Sequence, residues 1–291
     1  MSEYALFLGC QIPMKMPQIE AASRIALAKL GVKLKDIEGF SCCPEPWNFK
    51  GTDVDAWLKV AGRNLAVAEK KKMDVLTLCN GCSATLIEAG HLLENGGEAA
   101  AEAKKALSSA GYKYEGKVKA SHAVTLLHRE VGLEKVSKSC SKRLDGLKVA
   151  VHYGCHLLRP SDILGVDDPF EPSFLDGLVE ATGAESVDYA GKMTCCGSAA
   201  LDKKISLGIA REKVRAMESS GAQCVLVTCP ACFDQFDLGQ LEINRRFKEK
   251  HAVPVLHYFQ LLALAQGEDP AKLGLSRHKI ETDPLLKAVQ R

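Results

Sequence analysis

The sequence predicts an α/β protein of two similar cysteine-rich domains related by internal duplication, each with a small, mainly parallel sheet flanked by helices. Three observations predict it. Ten of the twelve cysteines fall into two sets of five with the same order. The segments around them repeat as well. Short β-prone runs alternate with longer helical ones.

The first set reads Cys10-x31-Cys42-Cys43-x35-Cys79-x-x-Cys82, the second Cys155-x39-Cys195-Cys196-x32-Cys229-x-x-Cys232. Residues 4–10 (YALFLGC) match 149–155 (VAVHYGC), and 75–82 (VLTLCNGC) match 225–232 (VLVTCPAC). Residues 118–127 (VKASHAVTLL) match 253–262 (VPVLHYFQLL), which pairs His122 with His257. A polar stretch at 138–146, closing on Asp145-Gly146, is the expected division between domains 1–145 and 146–291.

Taken in order, the apolar runs at 5–8, 75–78, 149–153 and 225–228 suit strands buried on both faces of a parallel sheet. Segments 19–30, 54–72, 174–182 and 205–219 carry helical patterning, and Gly31, Gly183 and Gly221 stand where helix C-caps belong. Ligands of such sheets collect at the carboxyl ends of strands, where Cys10, Cys79, Cys155 and Cys229 lie. Residues 90–116 and the three-proline stretch 156–172 read as loop insertions, the former with room for a short helix.

Composition narrows the class. Of 291 residues, 46% are hydrophobic and 25% charged, so a normal core is available without staples. A net charge of +2 argues against a nucleic-acid partner, and the basic clusters at 70–72 and 245–250 read as solvated faces. The apolar run within residues 1–12 lacks the flanks of a secretory signal, and the longest apolar candidate, 253–265, is broken by Pro254, His257 and Gln260. The expectation is a cytoplasmic protein without direct membrane insertion. In that compartment clustered cysteines point to metal or redox chemistry ahead of disulfides.

Five cysteines exceed the four that close a zinc site or a cubane cluster. An adjacent pair on an extended backbone points two ways; on a bent loop both thiols reach one large, multi-iron group. In this arrangement the two sets resemble the cysteine-rich CCG domain, and two tandem copies without a ferredoxin-like segment resemble the B-subunit family of heterodisulfide reductases from methanogenic archaea. The resemblance covers nearly the whole chain.

It implies a noncubane [4Fe–4S] cluster in each domain, held by Cys10, Cys42, Cys43, Cys79 and Cys82 and by Cys155, Cys195, Cys196, Cys229 and Cys232. It implies reduction of the mixed disulfide of coenzyme M and coenzyme B between the two clusters. The implied partners are the ferredoxin-like and the flavin-containing subunits of heterodisulfide reductase, with a hydrogenase or formate dehydrogenase upstream. The spacing of the second set differs from that of the first, which leaves cluster type in that half open, zinc included. The chemistry is coherent with duplication: a disulfide takes two electrons and a cluster usually passes one.

Among other residues, His156 follows Cys155 directly and is the candidate for proton delivery to a product thiolate. The matched His122 and His257 read as capping or core residues, with hydrogen bonding to a cluster as the rival role. His152, opposite Phe7 in the repeat, points away from its chain neighbours. Pro44, Glu45, Pro46 and Trp47 shape a wall after the first pair, Trp47 as packing ahead of substrate contact; Gly197 and Ser198 follow the second pair. Gly9 and Gly154 allow close backbone approach. A polyanionic disulfide calls for Lys or Arg in its pocket, with Lys50, Arg159, Lys203 and Lys204 nearest in sequence. Cys140 and Cys224 read as ordinary thiols. No glycine-rich nucleotide loop is present.

Two rivals stand beside this reading. One is a non-catalytic, quinone-linked electron-transfer subunit of another CCG-type oxidoreductase, such as a lactate or succinate dehydrogenase. The other is a zinc- or disulfide-stabilised scaffold.

Overall fold

The computed structural model describes residues 3–289, so the outermost residues of the two expected domains lie outside it. Strands β1 (Glu3–Phe7), β2 (Lys33–Lys35), β3 (Val75–Thr77) and β4 (Ala120–His122) form a parallel sheet in the order β2-β1-β3-β4. Strands β5 (Lys148–His152), β6 (Glu185–Val187), β7 (Cys224–Val227) and β8 (Val255–His257) repeat it as β6-β5-β7-β8. Equivalent registers recur: Phe7 pairs with Thr77 and Thr77 with His122, as His152 pairs with Val227 and Val227 with His257. The four apolar runs read as strands are the central pair of each sheet, buried on both faces.

Helices Pro17–Lys29, Val54–Lys70, Phe174–Glu180 and Lys203–Ser219 fill the segments expected to be helical. Asp53 and Asp202 start the second and fourth of these by accepting from backbone amides of the first turn, at Ala56 and at Lys204 and Ile205. Gly31, Gly183 and Gly221 adopt φ of +81°, +95° and +76°, the left-handed stop that only glycine takes without strain.

The insertion at 90–116 is more ordered than a loop. It holds the end of helix Asn80–Asn95 and a second helix, Gly97–Ser109, because Ala100, Ala103 and Leu107 bury a face against Val54–Lys70. The insertion at 156–172 contains only the short helix Ser161–Leu164.

One hydrophobic core runs through both halves. Helix Tyr258–Ala265, every residue of which is buried, packs on Pro17–Lys29 of the other half. Polar ties seal that seam: Lys29 Nζ donates to the Gln266 carbonyl at 2.8 Å, and Gln266 Nε2 donates to the Ala26 carbonyl at 3.3 Å. Among the described residues, no helix is long and apolar enough to cross a membrane.

Candidate metal centre

In each sheet the first strand lies between the second and third, so the chain departs in opposite directions from two adjacent carboxyl ends. Such a switch point leaves a crevice. The cysteines gather there. Cys10 and Cys155 follow β1 and β5, and Cys79 and Cys229 stand at the N-termini of helices Asn80–Asn95 and Pro230–Phe247. Sequence reading did not foresee these two helices. Their free amides and dipole favour thiolate at both positions, and backbone donors from Ala231 and Cys232 reach Cys229.

All ten cysteines form one continuous run of sulfurs. Cys10 meets Cys42, which meets Cys43. The Cys43 and Cys82 Sγ atoms lie 3.0 Å apart, and Cys82 meets Cys79. Cys79 Sγ then reaches Cys229 Sγ of the other half at 3.9 Å. Beyond it come Cys232, Cys196 at 3.5 Å from Cys232, Cys195 and Cys155. The two sets therefore touch. All twelve thiols are free. Cys140, hydrogen-bonded to the Val136 carbonyl, and Cys224, inside β7, lie outside the run.

The adjacent pairs work on bent loops. Cys43 is buried while Cys42 is exposed, and Cys196 is buried while Cys195 is half-buried. Bonds from neighbouring thiols divide their acidities. Cys43 is lowered to about 5, chiefly by Cys42, which is raised in turn by its bond to Cys43. Cys195 is lowered to about 2, chiefly by Cys155, and Cys196 is pushed up to about 12 by Cys195. Cys229 is lowered by Cys232, whereas Cys79 is raised by Cys229 and Cys82 by Cys43. Each set gives up some protons easily and the rest only against mutual repulsion. A positively charged group bound by all the sulfurs removes that repulsion, so the donor set fits thiolate-held metal.

Two cavities adjoin the sulfurs. One, of about 110 Å³, is lined by the first set together with Glu45, Pro46, Trp47, Pro230 and Ala231. The other, of about 70 Å³, is lined by the second set together with Trp47, Asn80, His156, Ser198 and Ala199. Trp47 borders both, so it is a partition as well as packing. Glu45 fixes its loop by accepting from the amides of Trp47, Asn48 and Phe49 at 2.8–2.9 Å. The Pro44 carbonyl is clamped by Trp57 Nε1 and Thr85 Oγ1 at 3.1 and 3.0 Å.

Gly9 and Gly154 have φ of +66° and +73°; a Cβ on Gly9 would stand 2.7 Å from Cys82 Sγ, and one on Gly154 would stand 2.8 Å from Asn80 Nδ2.

His156 lines the second cavity with its ring 5.4 Å from Trp47, and burial lowers its pKa so that it is neutral at pH 7. The Nε2 atoms of His122 and His257 bond carbonyls and not sulfur. His122 Nε2 bonds the Thr228 carbonyl at 3.0 Å and His257 Nε2 bonds the Leu78 carbonyl at 3.2 Å, each just before the other half's Cys-x-x-Cys. His122 caps its helix, Nδ1 accepting from the Val124 amide, whereas at the matching position the His257 backbone amide donates to Gln260 Oε1.

The four basic candidates do not line either cavity. Lys50 pairs with the buried Glu88, Lys203 with Glu242 at 2.5 Å, and Arg159 with the Pro169 carbonyl, also at 2.5 Å. Lys204 lies in the first turn of helix Lys203–Ser219, where its backbone amide donates to Asp202.

Sequence reasoning gave no role to three residues that the structure singles out. Asn80 bridges the halves, donating to the Tyr153 carbonyl at 2.7 Å and accepting from Thr228 Oγ1 at 2.8 Å. His152 is buried with no hydrogen-bond partner on either ring nitrogen, and its ligand atom lies within 4.8 Å of those of Cys196 and Cys232. Lys213 is 3% exposed and donates to the carbonyls of Gly191 at 2.6 Å and Thr194 at 3.0 Å. The repeat carries the signal for the latter two, which replace Phe and Asn of the first half.

The cysteine-rich domain family profile matches residues 4–87 and 149–237. The chain is 40% identical to the B subunit of the ferredoxin/F420H2-dependent CoB–CoM heterodisulfide reductase of Methanosarcina acetivorans, covering 99% of this chain and 97% of that protein. It is 33% identical to the 8-methylmenaquinol:fumarate reductase membrane anchor subunit of Wolinella succinogenes, covering 97% and 99%. A hypothetical protein from Helicobacter pylori, of known crystal structure, shares the fold with a TM-score of 0.75 at 16% identity, over 96% of this chain and 52% of that one.

Proposed function

Because the chain belongs to the tandem cysteine-rich (CCG) domain family that includes the B subunit of heterodisulfide reductase, we propose that it is the catalytic iron–sulfur subunit of such an enzyme. In this reading it reduces the coenzyme M–coenzyme B mixed disulfide to two thiols, within a complex that includes the ferredoxin-like and flavin-containing subunits. The observation that carries the proposal is the unbroken run of ten sulfurs across both halves, with Cys79 and Cys229 meeting at 3.9 Å.

Cys10, Cys42, Cys43, Cys79 and Cys82 would hold one [4Fe–4S] group of the noncubane type, and Cys155, Cys195, Cys196, Cys229 and Cys232 the other. Bound there, the two groups supply one electron each, matching the two that a disulfide requires. The chain's own residues do the rest. Trp47 keeps the two cavities apart and Pro46 and Ala231 close their walls. His156 lines the second cavity, where, once protonated from solvent, its imidazolium would pass that proton to a departing thiolate and return to the neutral form that burial favours.

A second reading has its own support. Neither cavity is lined by Lys or Arg, which a polyanionic substrate calls for, and one relative is named as a subunit of a menaquinol:fumarate reductase. On that reading the chain passes electrons and binds no disulfide.

Metal analysis of anaerobically purified protein tests the common part. About eight irons and eight sulfides, without zinc, fit two four-iron groups; absence of iron after reconstitution removes both redox readings. Turnover of the mixed disulfide separates them. Cys43→Ser and Cys196→Ser should each remove one EPR signal and most of the turnover. Full turnover in either variant refutes the two-site reading.

A further inference from the structure

The two cysteine sets are not electrostatically equal. Helices Val54–Lys70 and Lys203–Ser219 begin at matching Asp caps, and eleven residues beyond the cap stand Asn64 in the first and Lys213 in the second. Both side chains brace the loop that delivers the Cys-Cys pair. Asn64 Oδ1 accepts from the Ser41 amide at 2.9 Å, just before Cys42; Lys213 Nζ donates to the Thr194 carbonyl at 3.0 Å, just before Cys195. The bracing is the same, but the second half does it with a buried cation.

That cation sits over the Tyr189 ring at 5.4 Å. Burial lowers its pKa to about 8 against the opposing pull of Cys196, Cys232, Cys155 and Cys195. Other cysteines supply the strongest charges on both sets, but His152 also acts on Cys195 and Arg159 on Cys155, whereas only cysteines figure for Cys42, Cys43, Cys79 and Cys82. Beside Lys213 stands His152, whose unpartnered ring nitrogens near Cys196 and Cys232 replace the Phe7 ring of the first half.

A reduced metal group carries one more negative charge than its oxidised form. A fixed cation in a low-dielectric interior therefore favours reduction, and a hydrogen bond to sulfur acts in the same direction. We propose that Lys213, with His152 beside it, makes the second cysteine set the stronger electron acceptor, so that an electron shared between the two sets rests in the C-terminal half. The inference rests on the iron–sulfur reading above. Its step is a one-electron transfer between the two sites, with no bond made or broken.

The test is a potentiometric titration of the full iron-loaded chain, followed by EPR, with dithionite as reductant. Cys43→Ser and Cys196→Ser assign the two signals. The signal lost in Cys196→Ser should have the more positive midpoint. Lys213→Asn should shift electron occupancy of that site at least about tenfold, which is 59 mV for a one-electron couple. Lys213→Arg should keep the midpoint, and Asn64→Lys should raise that of the first site. Should Lys213→Asn lose iron, His152→Phe puts the same question without touching the brace and should also lower the second midpoint. Retained iron with unmoved midpoints, or a more positive first site in the unmodified chain, overturns the inference and leaves the cluster reading standing. A chain that takes up no iron overturns both.

Discussion

Replacing His122 by Leu tests the cross-half tie and its protonation state together. The substitution keeps an apolar side chain in the space but deletes the Nε2 bond to the Thr228 carbonyl and the cap accepted from Val124. An orphaned buried carbonyl costs about 1–3 kcal/mol and a lost cap about 1 kcal/mol, so the variant should be about 2–4 kcal/mol less stable at pH 7. Burial lowers the pKa of His122 from 6.5 to about 3. The folded imidazole therefore stays neutral while the unfolded one takes up a proton as pH falls through 6.5. Stability from this group is complete above the unfolded pKa and drains below it, at about 1.4 kcal/mol per pH unit until the folded pKa is reached. At pH 5 the unmodified chain has lost roughly 2 kcal/mol on this account and His122→Leu has lost none. The gap between the two should thus shrink by roughly 2 kcal/mol between pH 7 and pH 5. Urea unfolding of the metal-free, thiol-reduced chains at the two pH values measures it. A gap that does not change with pH refutes the buried neutral imidazole, and no gap at pH 7 refutes the tie.

Two further substitutions separate the sites from their surroundings. Gly9→Ala forces a non-glycine residue to φ of +66° and puts its Cβ 2.7 Å from Cys82 Sγ; it should cost about 1–2 kcal/mol and remove metal from the first set alone, so full iron content would contradict the close approach. Cys140→Ala and Cys224→Ala remove the two thiols outside the run; both should keep full iron and sulfide content, and loss of a cluster signal in either would assign that cysteine a role the geometry denies it.

The parts of the fold that were legible in the sequence are those whose physics is local. Central strands are apolar because both faces are covered, and helices announce themselves by period and by the glycines that stop them. All four edge strands were illegible: β2 and β6 are three residues each, such as the half-exposed Lys33-Leu34-Lys35, and β4 and β8 are three residues running directly into helices. The helices that begin at Cys79 and Cys229 were hidden because the Cys-x-x-Cys motif reads as a metal clamp and not as a helix start. Spacing also marked the ten cysteines as two sets, and they do converge; what spacing cannot express is that Cys79 and Cys229 meet. Contacts across the seam have no sequence signature in either partner. His152 and Lys213 are different, since a comparison of the halves position by position exposes them. Their signal lies in what the repeat does not match.

The seam also explains why the duplication is not two independent sites joined by a linker. His122 of the first half holds the carbonyl before Cys229, and His257 of the second holds the carbonyl before Cys79. Asn80, next to Cys79, is shared between the Tyr153 carbonyl and Thr228. Each Cys-x-x-Cys turn is thus positioned by the opposite half, and the walls of each cavity come from both. A change that loosens the seam reaches both sets of sulfurs at once. Exchange of supports across a pseudo-two-fold seam ties the geometry of the sites together, while the Asn64–Lys213 substitution leaves their charge free to differ. On the iron–sulfur reading, structure held in common and charge held apart is the combination that would give the two sites an order of electron occupancy.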